Sequence, residues 1–102
     1  MSGRMQQLEK MLEREPNDPF LLYGLALEHK KAADLPRAIE LLQQVIQVDA
    51  GYCYAYYQLG QIHAASGDVP AAKRVFEQGI AAARKKGDAH AAEEIGGALA
   101  EL

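Results

Sequence analysis

The sequence lacks tryptophan and has a single cysteine, Cys53, among its 102 residues. One cysteine cannot form an intramolecular disulfide, and it offers a thiolate metal cluster no second ligand. Its neighbours Tyr52 and Tyr54 are not bases at neutral pH, so they cannot activate the thiol as a nucleophile. Cys53 is therefore expected to be a small, half-buried packing residue.

Positive charge and long apolar runs are also scarce. The sequence contains eleven Lys and Arg and fourteen Asp and Glu, which gives a formal net charge of -3. No fold-wide nucleic-acid surface is therefore expected. No apolar run approaches the roughly 20 residues that span a bilayer, and the N-terminus shows no apolar stretch of signal-peptide length. We expect a cytoplasmic protein with neither a nucleic-acid nor a membrane partner. Hydrophobic residues at 49% are typical of a globular domain.

The sequence instead contains an internal repeat of 34 residues. When residues 17–50 are compared with 51–84 without gaps, eight of 34 pairs are identical, against roughly three expected by chance. The identical pairs are Tyr23/Tyr57, Leu25/Leu59, His29/His63, Asp34/Asp68, Pro36/Pro70, Ala38/Ala72, Gln44/Gln78 and Ile46/Ile80. A constant period of this length indicates stacked copies of one supersecondary unit.

Each copy has the pattern of two helices. Asp18 can cap the first helix, and Pro19 suits its first turn. Asp34 and Pro36 interrupt the pattern, and their short break predicts an antiparallel helical hairpin. Inward-facing apolar residues follow at helical spacing. In the second helix of each copy they are Ile39, Leu42, Val45 and Ile46, and then Ala72, Val75, Phe76, Gly79 and Ile80.

These features resemble the tetratricopeptide repeat, a helix–turn–helix unit of 34 residues, in a small two-repeat protein of bacterial type. Leu25-Ala26 and Leu59-Gly60 stand where the family usually has Leu-Gly. Ala38 and Ala72 stand at its early second-helix alanine. The resemblance implies an all-α fold, with antiparallel helix–turn–helix repeats stacked as a short right-handed α-solenoid of about five helices.

The flanking residues complete this arrangement. Residues 4–15 are expected to form a leading half-repeat helix with Leu8, Met11 and Leu12 facing inward. Residues 88–102 are expected to form a capping helix with a stripe of Ala92, Ile95, Leu99 and Leu102, begun by Asp88. The expected organisation is one domain over residues 1–102, with repeats at 17–50 and 51–84.

The sequence offers little chemistry for catalysis. His29 and His63 occupy equivalent positions, but no Cys or carboxylate repeats in phase with them, so we interpret them as packing residues rather than metal ligands. Arg84, Lys85 and Lys86 follow the last repeat helix, where cations favour the helix dipole, although contact with an acidic partner is an alternative. No catalytic, cofactor-binding or metal site is predicted.

The resemblance implies that the first helices of successive repeats line a concave groove that binds partner segments. Their predicted groove residues are Phe20, Tyr23, Gly24, Leu27, Lys30, Lys31, Tyr54, Tyr57, Gln58 and Gln61. Aromatic side chains with polar tips suit recognition. The alternative is that the leading and terminal helices bury these residues as core.

We therefore predict a non-enzymatic interaction module that binds a peptide or helix of a protein partner in the groove. A self-assembling scaffold, as a homodimer or larger homo-oligomer, is the alternative, because an exposed aromatic groove could pair with a second copy.

Overall fold

The computed structural model describes residues 3–102, which form six α-helices and no strand. The helices are α1 (Gly3–Arg14), α2 (Pro19–Lys31), α3 (Leu35–Val48), α4 (Cys53–Ala65), α5 (Val69–Lys86) and α6 (Ala89–Ala100). The predicted all-α fold is confirmed. The six helices are close to the expected total of about five, and they comprise a leading helix, two hairpins and a cap. The predicted domain starts at residue 1, and residues 1–2 lie outside the described residues.

The chain divides into two compact units, one ending at Asp49 and the other beginning at Ala50. The first unit contains α1, α2 and α3, and α2 packs against both of its neighbours. The second unit contains α4, α5 and α6, and α5 packs against both of its neighbours.

Aspartates begin four of the helices. The Asp18 carboxylate accepts hydrogen bonds from the backbone N–H of Phe20 at 2.9 Å and of Leu21 at 3.2 Å. Asp68 and Asp88 cap α5 and α6 in the same way, and Asp34 caps α3. The predicted caps at Asp18 and Asp88 are confirmed. Each satisfies backbone donors that the helix leaves open, an effect of about 1 kcal/mol per cap.

The core of the first unit lies between α2 and α3. Its buried side chains are Leu21, Leu22, Leu25, Ala26, Ala38, Leu41, Leu42 and Val45, and α1 adds Met5 and Leu8. Ile39 and Ile46 are only partly buried. The prediction that Met11 faces inward was wrong, because its side chain is 51% exposed. At 100° per residue, Met11 lies about 90° from the stripe centred on Met5 and Leu8.

The core of the second unit is a cluster shared by its three helices. The cluster comprises Cys53, Ala72, Phe76, Ala83, Ala91 and Ile95. Cys53 is buried, with 4% of it exposed, rather than half-buried. Helix α6 continues through Gly96 and Gly97 to Ala100. Leu102 lies beyond the end of this helix and is 43% exposed, so its predicted place in the inward stripe was wrong.

Candidate partner-binding faces

One side of α2 carries the predicted binding residues of the first repeat. This α2 face comprises Phe20, Tyr23, Gly24, Leu27, Lys30 and Lys31. Phe20 and Lys31 are exposed, and the other four are partly buried. The Asp18 cap fixes the first turn of α2, and this places Phe20 on the outer side of the helix, where 68% of it is exposed. Leu27 lies two turns further along nearly the same line.

Helix α1 covers one edge of the α2 face. A β-carbon added at Gly24 would lie 3.5 Å from both δ-carbons of Leu8, so Leu8 fills the space beside this glycine. Nearby, Arg4 Nε lies 3.5 Å from Glu28 Oε2. Glu28 is only 9% exposed and is a buried acid that the sequence pattern did not single out. The position of Glu28 on the apolar side of α2 could have indicated in the sequence that this acid is buried. Its pairing with Arg4 on α1 explains why a buried charge is tolerated there.

The second repeat presents a corresponding face on α4. This α4 face comprises Tyr54, Tyr57, Gln58 and Gln61, all of them partly buried. The rings of Tyr54 and Tyr57 are perpendicular, with an interplanar angle of 79° and centroids 6.3 Å apart. Edge-to-face contact of this kind is a favoured aromatic arrangement and holds both rings in place.

Glu94 on α6 orients Tyr54. The Tyr54 hydroxyl donates a hydrogen bond to Glu94 Oε1 at 2.6 Å. His90 Nε2 lies 2.7 Å from the same oxygen. The hydrogen bond to Glu94 raises the pKa of Tyr54 to about 12, because the carboxylate stabilises the protonated hydroxyl and opposes a second negative charge. Desolvation and the charge of Asp88 act on this pKa in the same direction.

The terminal helix therefore covers part of the α4 face. Tyr54, Tyr57 and Ala64 pack against the core cluster of the second unit together with Ala92, Ala98 and Leu99. These tyrosines are neither fully open nor sealed into the core. Beside them lies a cleft of about 280 Å³, lined by Gln61, Ala64, Phe76, Ala98, Glu101 and Leu102. Gln61 thus borders both the α4 face and this cleft.

The two equivalent histidines lie at the ends of the first helices. His29 is partly buried, and its Nδ1 lies 3.3 Å from Asp34 Oδ2. The carbonyls of His29 and His63 each accept a hydrogen bond at 2.9 Å, from the backbone N–H of Asp34 and of Asp68 respectively. Among residues 3–102, no group of three or more His, Cys, Asp or Glu side chains could hold a metal ion. Both histidines therefore contribute a backbone carbonyl to the turn of their hairpin.

None of the helices in the described part of the chain is long and apolar enough to cross a membrane.

Comparison with known sequences gives a consistent result. Residues 30–95 match the tetratricopeptide repeat family. The chain is 35% identical over 91 residues to a TPR repeat-containing protein of Pseudomonas aeruginosa, and the match covers 89% of this chain and 87% of that protein.

Solved structures show the same architecture. The crystal structure of a tetratricopeptide repeat domain protein from Salinibacter ruber superposes with a TM-score of 0.77 at 32% identity, covering 82% of this chain and 93% of that one. The solution structure of a Bordetella parapertussis protein gives a TM-score of 0.84 at 26% identity, covering 99% of this chain and 88% of that one.

Proposed function

This chain belongs to the tetratricopeptide repeat family, and we propose that it is a non-enzymatic module that binds a peptide or helix of a partner protein through its α2 and α4 faces. Tetratricopeptide repeats are generally protein–protein interaction modules, and proteins of the family are generally scaffolds rather than enzymes. The identity of the partner segment follows from the chemistry of the two faces.

This proposal rests on the solvent exposure of the Phe20 side chain. At 68% it is the most exposed large hydrophobic side chain among the described residues. Leaving an aromatic ring in water forgoes about 1–2 kcal/mol of burial free energy, which a bound partner would recover. Leu27 extends the apolar surface along the helix by about 10 Å.

Charge on the α2 face restricts the partner further. Lys30 and Lys31 lie at the C-terminal end of the α2 face. The only acid of α2, Glu28, is buried against Arg4. A segment that fits would place two apolar side chains over Phe20 and Leu27 and an acidic residue beside the lysines. Basic segments would be rejected by like-charge repulsion.

The α4 face supports the same function with different chemistry. Gln58 and Gln61 carry amides that can both donate to and accept from a peptide backbone. Tyr57 adds a rigid aromatic surface held by its contact with Tyr54. This face has no charged residue, so it would contribute shape and hydrogen bonds rather than charge selection.

Site-specific photo-crosslinking tests the proposal. A photoreactive phenylalanine analogue replaces Phe20 in one protein and Val48 in another. Val48 is a matched control because it is an exposed apolar residue of the same unit, on α3 and outside the α2 face. We expect a discrete crosslinked partner from position 20 that is absent from position 48. Equal crosslinking from both positions contradicts the proposal.

A second experiment addresses the affinity and the self-assembly alternative. Phe20→Ser should weaken binding of the crosslinked partner about tenfold, because it removes about 1–2 kcal/mol of apolar contact. Val48→Ser should leave the affinity unchanged. Light scattering of the free protein should show a monomer at all concentrations. A dimer that Phe20→Ser dissociates would instead identify a second copy as the occupant of the α2 face.

A further inference from the structure

Cations in the second unit are confined to one helix. All five Lys and Arg residues from Ala50 onward lie on α5, and Glu77 is the only acid there, so this helix carries a formal charge of +4. The rest of that unit contains five acids and no Lys or Arg. Separation of charge to this degree is unexpected in a protein whose net charge is -3.

Four of these cations form a stripe on the outer side of α5. Lys73 and Arg74 lie at one end, and Arg84 and Lys85 at the other, and all four are exposed. The two pairs are eleven residues apart, which is about three helical turns or roughly 16 Å and returns to nearly the same side of the helix. We call these four residues the α5 basic stripe.

Folding does not account for the stripe. Helix-dipole stabilisation applies to Arg84 and Lys85 in the last turn of α5, but Lys73 and Arg74 lie in its second turn, where the dipole does not stabilise a cation. None of the four forms an ion pair with another residue of the described chain. Lys86, by contrast, donates to the Gly51 carbonyl at 3.3 Å and therefore has a structural role.

We propose that the α5 basic stripe docks an acidic α-helix of a partner protein. A helix lying along α5 can present two acidic pairs about three turns apart on one side, in register with the two cationic pairs. Between the pairs, the exposed Ala81 offers little bulk and allows the partner's backbone to approach. This surface lies outside the α2 and α4 faces, so the inference does not depend on the function proposed for them.

The residues between the pairs argue against other anionic partners. Glu77 is exposed at the centre of the stripe and would repel a continuous row of phosphates or lipid headgroups. In the same region the aromatic ring, Phe76, is buried and offers no surface on which a base could stack. The large apolar residues there, Val75 and Ile80, are partly buried against the fold, so they offer a membrane little apolar surface. A helix with a neutral or basic residue between its acidic pairs avoids the repulsion.

Fluorescence anisotropy with a designed probe tests the proposal. The probe is a labelled helical peptide with two Glu pairs roughly eleven residues apart and a Lys between them. We expect saturable binding to the full chain that weakens steadily with added salt. Lys73→Glu/Arg74→Glu should lower the affinity at least about tenfold, since two attractions become repulsions.

Two matched controls separate specific docking from general charge effects. Lys10→Glu/Arg14→Glu makes the same change in charge at exposed positions of α1 and should leave binding unchanged. A peptide of identical composition with the second Glu pair moved to the opposite side of the helix should bind at least about tenfold more weakly. Equal losses from both double variants, equal binding of both peptides, no binding of the probe, or tighter binding of an oligonucleotide or of anionic phosphatidylglycerol vesicles would each overturn the proposal.

Discussion

Gly60 on α4 lies directly against the ring of Phe76 on α5. A β-carbon added at Gly60 would lie 2.5 Å from Phe76 Cδ1 and 2.8 Å from Cζ, closer than packed carbon atoms allow. The equivalent pair in the first repeat is Ala26 and Leu42, both fully buried. The repeat with the larger residue on its first helix thus has the smaller residue on its second helix. The two repeats fill the space between their paired helices with different combinations of side chains.

This relationship predicts a destabilising substitution and its rescue. Gly60→Ala should lower the free energy of unfolding by about 1–3 kcal/mol through overpacking against Phe76. Adding Phe76→Leu, which copies the pair of the first repeat, should recover part of that loss. Urea denaturation of both single variants and the double variant measures the coupling. Strict additivity would show that the two side chains do not compete for space.

Gly96 provides the control for this series. It lies inside α6, and nothing comes within 4 Å of an added β-carbon. Gly96→Ala should therefore stabilise the protein by about 0.5–1 kcal/mol through helix propensity alone.

A second prediction concerns the turns between paired helices. Ala33 has φ of 62° and its repeat equivalent Gly67 has φ of 85°, so both adopt the left-handed conformation. That conformation costs a residue with a β-carbon about 1–2 kcal/mol, whereas glycine adopts it freely. Gly67→Ala should destabilise the protein by about 1 kcal/mol. Ala33→Gly should stabilise it by about 0.5 kcal/mol, because relief of strain exceeds the extra entropy of the unfolded chain.

Thermal and urea unfolding of these two variants should give opposite shifts. The same sign for both substitutions would mean that backbone strain in the turns does not control stability.

The leading helix should be essential for folding. Leu8 fills the space beside Gly24, and Arg4 pairs with the buried Glu28, so removal of residues 1–16 exposes apolar surface and removes the cation that pairs with a buried acid. We expect circular dichroism to show that the truncated protein is unfolded. Leu8→Ala should cost about 2–4 kcal/mol, whereas Met11→Ala at an exposed site should cost less than about 0.5 kcal/mol. A truncated protein with an unchanged melting transition would contradict this role for α1.

The Tyr54–Glu94 hydrogen bond predicts a loss of stability in alkaline solution. The pKa of Tyr54 is raised from 10.0 to about 12 in the folded protein, so between these values an unfolded chain releases the proton that the folded chain retains. The stabilisation is fully present below pH 10.0 and is lost as the pH rises towards 12. The difference between the ultraviolet titrations of this protein and of Tyr54→Phe should show Tyr54 ionising near the upper value.

Two variants isolate this effect. Glu94→Gln should return the pKa of Tyr54 towards its ordinary value, because the carboxylate that opposes ionisation is removed. Tyr54→Phe should abolish this part of the alkaline dependence of unfolding. If Tyr54 titrates normally in the unsubstituted protein, the hydrogen bond to Glu94 does not form in solution.

Local signals predicted much of the fold. Asp18 and Asp88 were identified as caps because a cap acts within three residues along the chain, and the prolines marked first turns for the same reason. The 34-residue period placed the two hairpins. Met11 and Leu102 were assigned wrongly because burial depends on where the neighbouring helix lies and on where a helix ends, which residue spacing does not fix.

The composition and repeat pattern of this sequence determined an all-α protein of the tetratricopeptide family, because capping, turn formation and apolar periodicity are properties of neighbouring residues. Only the tertiary structure decided which surface residues are available. Tyr54 meets Glu94 across 40 residues of sequence, Leu8 occupies the space beside Gly24, and Phe20 remains open. Such contacts depend on the packing of separate helices, and no local rule specifies which side chains that packing will cover.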